Sequence, residues 1–141
     1  MKEQKINALV RTCVILALLS LIALAVLFEV GVRQAWSLEL SVLGIASFVV
    51  LLITFIIGYI RSGLWSFSHK AIRDLDEREI KMTGRSLQLA YGFFSIIVLI
   101  FLFVLALAEI KVSVVMAASL LLFAHLLPTA ILVFSEKDLR L

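Results

Sequence analysis

Cysteine, proline and charged residues are scarce in this chain, and each scarcity limits what the chain can be. Cys13 is the only cysteine, so an intramolecular disulfide is excluded. Pro128 is the only proline, so a proline kink is predicted at one place alone. Charged residues make up 16% of the chain and hydrophobic residues 63%, whereas soluble domains contain about 45–50% apolar residues. The composition excludes an ordinary soluble domain and indicates an integral membrane protein.

Four uncharged runs are long enough to cross a bilayer. They follow Arg11, Glu39, Arg85 and Lys111 and contain 17, 21, 23 and 24 residues. A helix needs about 20 residues to cross the hydrocarbon core. The pattern predicts an all-α fold, a four-helix transmembrane bundle that forms a single membrane domain. We expect its spans at about residues 6–30, 40–60, 87–108 and 112–134, with residues 61–86 between spans two and three.

The first run is the shortest and has two interpretations. Arg11 can extend its charged end towards the headgroups, so that the apolar residues before it also belong to the span. Alternatively, Ala23-Leu24-Ala25 fits the cleavage site of a signal peptide. Because the hydrophobic run continues as far as Phe28, we favour a membrane span.

The distribution of basic residues predicts the orientation in the membrane. The two termini and the segment between spans two and three together carry 11 of the 13 lysines and arginines, and the opposite side carries Arg33 and Lys111. Short cytoplasmic loops are enriched in Lys and Arg. We therefore expect both termini and residues 61–86 to be cytoplasmic, in a prokaryotic inner or plasma membrane. The basic residues are explained by topology and by anionic lipid rather than by nucleic acid.

Two spans carry stripes of small and weakly polar residues at helical spacing. Such stripes usually allow helices to pack closely, although a stripe in span two could also line a polar pathway. The sequence does not show whether the stripes pack within one copy or between copies of a homo-oligomer. The predicted packing residues are Ser41, Gly44, Ser47, Thr54 and Gly58 in span two, and Gln88, Gly92 and Ser95 in span three.

The charged segment between spans two and three carries the candidate docking residues. From about Ser68 its pattern predicts a short amphipathic cytoplasmic helix, although a helix continuous with span three also fits. Asp74 with Arg78 and Glu77 with Lys81 have the i,i+4 spacing of helical ion pairs. Clustered carboxylates can also bind metals or catalyse proton transfer, but the interleaved basic residues favour a self-paired, solvated face. The predicted docking residues are Arg73, Asp76, Glu77, Arg78 and Glu79.

The same segment resembles a known group of proteins. Leu75-Asp76-Glu77-Arg78-Glu79, followed by Arg85, Leu87 and Ala90-Tyr91, is similar to the D-E-R-E cytoplasmic loop of small prokaryotic multi-pass membrane proteins without an established activity. The similarity covers about residues 73–91. It implies the membrane architecture and implies nothing about function.

His125 in span four is the only ionisable residue deep inside any predicted span. Pro128 should kink the helix beside it, and Thr129 can donate a hydrogen bond to the His125 carbonyl. An ionisable residue within the membrane suggests function, but a structural histidine that donates one hydrogen bond across the bundle is favoured. A metal or haem would need a second ligand at this depth. Because His69 is expected in the cytoplasmic segment, the sequence predicts no metal and no cofactor.

No nucleotide-binding loop, nucleophile with its base or histidine-carboxylate motif is present, so the sequence does not predict an enzyme. The favoured function is a non-enzymatic interaction protein that docks a cytoplasmic protein or anionic lipid. The alternative is an oligomeric transporter or channel for an ion or small solute, with His125 and Pro128 on its path. A lipid- or quinone-binding subunit of a larger complex is a third interpretation.

Overall fold

The protein is built from helices. The computed structural model describes residues 8–135, so the predicted start of span one and the basic residues Lys2, Lys5, Lys137 and Arg140 lie outside the described range. In chain order the helices are α1 (Ala8–Gln34), α2 (Leu38–Phe55), a π-helical continuation of α2 (Ile56–Arg61), α3 (Leu64–Ser68), a 3₁₀ turn (Ile72–Asp74), α4 (Glu77–Leu107) and α5 (Val114–Ser135).

Four of these helices are long and apolar enough to cross a membrane: α1, α2 with its π-helical continuation, α4 and α5. The predicted all-helical chain with four such helices is confirmed. Span three differs most from its predicted limits, because α4 begins at Glu77 rather than near residue 87.

The long helices are arranged as a row with two inner and two outer members. Their extensive contacts run from α2 to α1, from α1 to α5 and from α5 to α4. Within residues 8–135, α4 makes no extensive contact with α1 or α2. An apolar cavity of about 190 Å³ lies between α1, α4 and α5. The arrangement is more open than a bundle in which every helix contacts two neighbours.

Small residues bring the two most extensively contacting helices together. Cys13 and Ala17 of α1 are buried, and so is Gly58 in the π-helical continuation of α2. A methyl group built on Gly58 would lie 3.0 Å from the Cys13 Cβ atom and 3.3 Å from the Val14 backbone nitrogen. Glycine at position 58 therefore permits the close approach of α1, because a side chain there would press on the Cys13 Cβ atom and on the α1 backbone.

The chain after α2 turns back onto the helices instead of leaving them. Gly63 has a left-handed φ of 80°, which glycine adopts without steric cost, and the Ser62 hydroxyl accepts a hydrogen bond from the Leu64 backbone N–H at 3.3 Å. Leu64 and Phe67 of α3 are buried in the same apolar core as Tyr59. One side of α3, through Leu64 and Phe67, therefore belongs to the packed interior.

The charged residues after α3 begin a transmembrane-length helix. Asp76 is the N-cap of α4, and its side chain and that of Glu79 form a reciprocal capping box. The helix continues through Gly84 without a break. Within the described chain, the prediction of a separate amphipathic helix from Ser68 is wrong. The continuous helix, which was the alternative, is the one that forms.

Candidate functional site

Two histidines that are far apart in sequence meet beside the short helix α3. His69, the C-cap of α3, and His125, on α5, approach with their Nε2 atoms 3.2 Å apart. The expectation that His69 lies away from His125 is wrong, because α3 folds back against α5. We call His69 and His125 the histidine pair.

Trp65 positions both imidazole rings. Its indole stacks on the His69 ring with centroids 4.2 Å apart and meets the His125 ring edge-on at 5.4 Å. Phe55 in turn packs against the Trp65 ring at 5.6 Å. Because Trp65 and His69 are four residues apart, the α3 turn places them on one side of the chain. Aromatic packing therefore holds the histidine pair.

A backbone contact determines which His69 nitrogen carries the proton. The Nδ1 atom of His69 lies 2.7 Å from the Trp65 carbonyl oxygen. A carbonyl oxygen can only accept, so Nδ1 must be the donor. In the neutral ring, the Nε2 atom of His69 then has a free lone pair and faces His125. Without a bound ion, the hydrogen bond between the rings requires His125 to donate through its own Nε2 atom.

A cavity of about 280 Å³ lies next to the histidine pair. A water molecule takes about 30 Å³ in the liquid, so the cavity has room for several. The Oγ1 atom of Thr83 is buried and has no hydrogen-bond partner within residues 8–135. The cavity is lined by α3, α4 and α5 through Ser68, His69, Thr83, Ser86, Leu87, Ala124, His125, Pro128, Thr129 and Leu132.

The structure gathers the predicted polar site of span four around this cavity. His125, Pro128 and Thr129 all line it, and α5 continues through Pro128 as one helix. Among the described residues, Thr129 does not form the predicted hydrogen bond to the His125 carbonyl.

The predicted docking residues divide into two groups. Asp76 and Glu79 serve local structure: the Asp76 carboxylate accepts from the Glu79 backbone N–H at 2.6 Å, and the Glu79 carboxylate binds Lys70 at 3.2 Å. The i,i+4 ion pairs predicted for Asp74 with Arg78 and for Glu77 with Lys81 do not form in the described chain. Arg73, Glu77 and Arg78 remain exposed.

Three basic residues share one exposed face at the start of α4. Arg78, Lys81 and Arg85 are spaced i, i+3 and i+7, which places them in line on a helix. The buried residues of α4 are Ser86 and Ala90, on the side that contacts α5. We call Arg78, Lys81 and Arg85 the basic face. It points away from the rest of the protein.

The two predicted packing stripes have different surroundings. In α2 and its continuation, Thr54 and Gly58 are buried, while Ser41, Gly44 and Ser47 are half-buried. These residues belong to the helix that contacts α1 most extensively.

In α4, Gln88 and Gly92 are exposed and Ser95 is half-buried. A methyl group built on Gly92 would meet no other atom within 4 Å. Within one copy of the described chain, the expectation that Gln88 faces another helix is wrong, because the α5-facing side of α4 carries Ser86 and Ala90 instead.

Sequence reasoning missed the position of His69. Leu64, Trp65 and Phe67 make the start of the charged segment apolar, and Gly63 immediately before them permits a reversal of the chain. This local hydrophobicity was the available signal that α3 is buried.

Comparison with known families, curated proteins and solved structures gives no match. The resemblance of residues 73–91 to D-E-R-E loop proteins stays a prediction.

Proposed function

We propose that this protein is a multi-pass membrane protein that binds the anionic cytoplasmic leaflet through its basic face. The orientation is the predicted one, with both termini on the cytoplasmic side of a prokaryotic inner or plasma membrane. No catalytic role is included in the proposal. The docking function inferred from the charged segment is kept, but its residues change to Arg78, Lys81 and Arg85, together with the exposed Arg73.

The observation that supports this proposal is the continuity of the basic face with an apolar exposed surface. C-terminal to Arg85, the same side of α4 carries Leu99 and Phe103, which are 68% and 65% exposed. In a bilayer, a helix with such a surface places its apolar part among the acyl chains and its basic end at the headgroups.

Of the nearby carboxylates, Asp76 and Glu79 are engaged in the helix cap and with Lys70. Glu77 is exposed beside the basic face but forms no ion pair with Lys81 within residues 8–135, so the three basic residues outnumber the one free carboxylate.

The proposal is tested by lipid selectivity in vesicles or nanodiscs. The full chain should retain phosphatidylglycerol in preference to phosphatidylcholine. Each basic residue near an anionic surface contributes about 1 kcal/mol, so Lys81→Gln should weaken this preference about fivefold. Lys111→Gln is the matched control, because Lys111 is also exposed but lies at the opposite end, between α4 and α5.

Two results would contradict the proposal. The first is an equal effect of Lys81→Gln and Lys111→Gln on lipid preference. The second is an absence of lipid preference together with saturable binding of a cytoplasmic protein that Lys81→Gln removes, which would assign the basic face to a protein partner.

Transport of an ion or small solute is the second candidate function. It is favoured by the cavity that His125, Pro128 and Thr129 line together. Four helices in a row enclose no pore by themselves, so this candidate requires a homo-oligomer, for which the exposed Gln88 and Gly92 of α4 are the available surface. Flux through proteoliposomes that disappears in His125→Ala without loss of folding would support it. Equal flux in both proteins would remove His125 from any transport path.

A further inference from the structure

We propose that the histidine pair binds one divalent transition-metal ion of the zinc, cobalt, nickel and copper class. The two Nε2 atoms are its protein ligands, and water completes its coordination. His125, which donates through Nε2 in the metal-free protein, binds the ion as the other neutral tautomer, with its proton on Nδ1. This inference concerns α3 and α5 and does not depend on the lipid-binding proposal, which concerns the outer side of α4.

The separation of the two nitrogens fits a shared ion. Zinc bonds imidazole nitrogen at about 2.0–2.1 Å. If one ion lies at that distance from both nitrogens, which are 3.2 Å apart, the nitrogen–ion–nitrogen angle is about 100°. This angle lies between the square-planar and tetrahedral values, and both geometries occur for late first-row metals. The spacing of the two nitrogens therefore already matches that of two ligands on one ion.

The ring positions agree with the same arrangement. If both rings point at one ion about 2.0–2.1 Å away, nitrogens 3.2 Å apart place the ring centres about 5 Å apart. The observed centroid separation is 5.1 Å. A straight nitrogen-to-nitrogen hydrogen bond of the same length would place the centres farther apart. The observed ring separation is therefore the one expected for two imidazoles that share an ion.

The second nitrogen of His69 has the partner that metal-binding histidines usually have. Such histidines donate their other N–H to a carboxylate, a carbonyl oxygen or water, which fixes the ring and its tautomer. The Nδ1 atom of His69 makes this contact with the Trp65 carbonyl oxygen at 2.7 Å. The Nε2 lone pair that binds a metal is therefore already directed at the site.

The surroundings supply oxygen from water and hydroxyl groups rather than from carboxylates. Within residues 8–135, no group of three or more His, Cys, Asp or Glu side chains comes together. The adjacent cavity of about 280 Å³ can hold water, and the unpartnered Thr83 Oγ1 atom belongs to a residue that lines it. Two imidazoles without carboxylates favour late transition metals over Mg²⁺ and Ca²⁺, which require oxygen ligands.

The chain contains its own reporters for this site. Trp65 stacks on His69, whereas Trp36, the other tryptophan, packs against Phe28 near the far end of α1. Co²⁺ is paramagnetic and quenches tryptophan emission at short range. Trp36→Phe leaves Trp65 as the single reporter, and Trp65→Phe leaves Trp36 as the matched control.

The test is a Co²⁺ titration of the full chain in detergent, with either single tryptophan. We expect saturable one-site quenching of Trp65 and none of Trp36. In the Trp36→Phe background, His69→Gln or His125→Gln should raise the apparent Kd for Co²⁺ at least about tenfold, because only one of the two imidazole ligands is left. Cys13→Ala should leave the Kd unchanged, since Cys13 is buried in α1 against the π-helical continuation of α2.

Equal quenching of both tryptophans, or a Kd that neither histidine variant changes, would overturn the proposal. The comparison of the two tryptophans uses the native histidines, so it tests whether Co²⁺ binds beside Trp65 even if a histidine variant does not fold. Basic-face variants such as Lys81→Gln should leave the Co²⁺ titration unchanged, which separates a failure of this proposal from a failure of lipid binding.

Discussion

The inner helix α1 and the outer helix α4 are both apolar, but they differ in how much of each is buried inside the protein. In their most apolar stretches, 28% of the α1 residues are buried inside the protein, compared with 6% of those in α4. Packing in a bilayer depends on close contact rather than on removal from water, because lipid is as apolar as a leucine side chain. Hydrophobicity therefore does not distinguish a central helix from a peripheral one, whereas small residues at a contact do.

The largest expected effect comes from filling a glycine at the α1 contact. In Gly58→Leu the new side chain must displace the α1 backbone near Cys13 and Val14, so we expect the free energy of unfolding to fall by about 3 kcal/mol. Gly92→Leu on α4 should change it by less than about 0.5 kcal/mol, because the site is open. Unfolding in mixed micelles with increasing denaturing detergent measures both variants. Equal losses would contradict the contrast between the two helices.

A smaller effect is expected from shortening a buried leucine. Leu126 is 1% exposed in the core, whereas Leu99 of α4 is 68% exposed. Leu126→Ala should lower the free energy of unfolding by about 2 kcal/mol, because a cavity in the packed core loses contacts even when the surrounding solvent is lipid. Leu99→Ala should have almost no effect in the same assay. A strong effect of Leu99→Ala would mean that α4 packs against a second copy.

The smallest of the three effects concerns the start of α4. Asp76 caps the helix, and loss of an N-cap costs about 1 kcal/mol. Asp76→Ala should therefore lower the free energy of unfolding by that amount. Asp74→Ala should not, because Asp74 is exposed and its nearest ion pair, with Arg73, is long at 3.7 Å. Hydrogen exchange of the Glu79 backbone amide, which donates to the Asp76 carboxylate, would localise the change, and equal exchange in both variants would contradict the capping role.

The four apolar helices could be predicted from the sequence, because an uncharged run of about 20 residues matches the length that a helix needs to cross the hydrocarbon core. It also identifies His125, Pro128 and Thr129 as a local group, since they are neighbours on one helix. The position of His69 could not be predicted in the same way. Gly63 and the apolar residues after it indicate a reversal and the burial of α3. Which helix α3 then packs against is a tertiary effect that local sequence does not determine.

Two other differences have a similar origin. The i,i+4 pairing of Glu77 with Lys81 is only a weak preference. The helix cap and Lys70 determine the arrangement of the neighbouring Asp76 and Glu79. The stripe through Gln88 was assigned to a packing face because its spacing is regular. Regular spacing defines a face of α4 but does not show which face meets α5, and the buried Ser86 and Ala90 show that it is the other one.

The most direct test of this account is the accessibility of α3, because the histidine pair exists only if α3 is packed against α5. Single cysteines can be placed in α3 and after it in a Cys13→Ala background and exposed to a charged maleimide in opened vesicles. Leu64 is fully buried, and the Arg73 side chain is 87% exposed. If α3 is packed against α5, Leu64→Cys stays unlabelled under conditions in which Arg73→Cys reacts completely. Equal labelling rates at the two positions would show that α3 is a surface segment and would contradict the account.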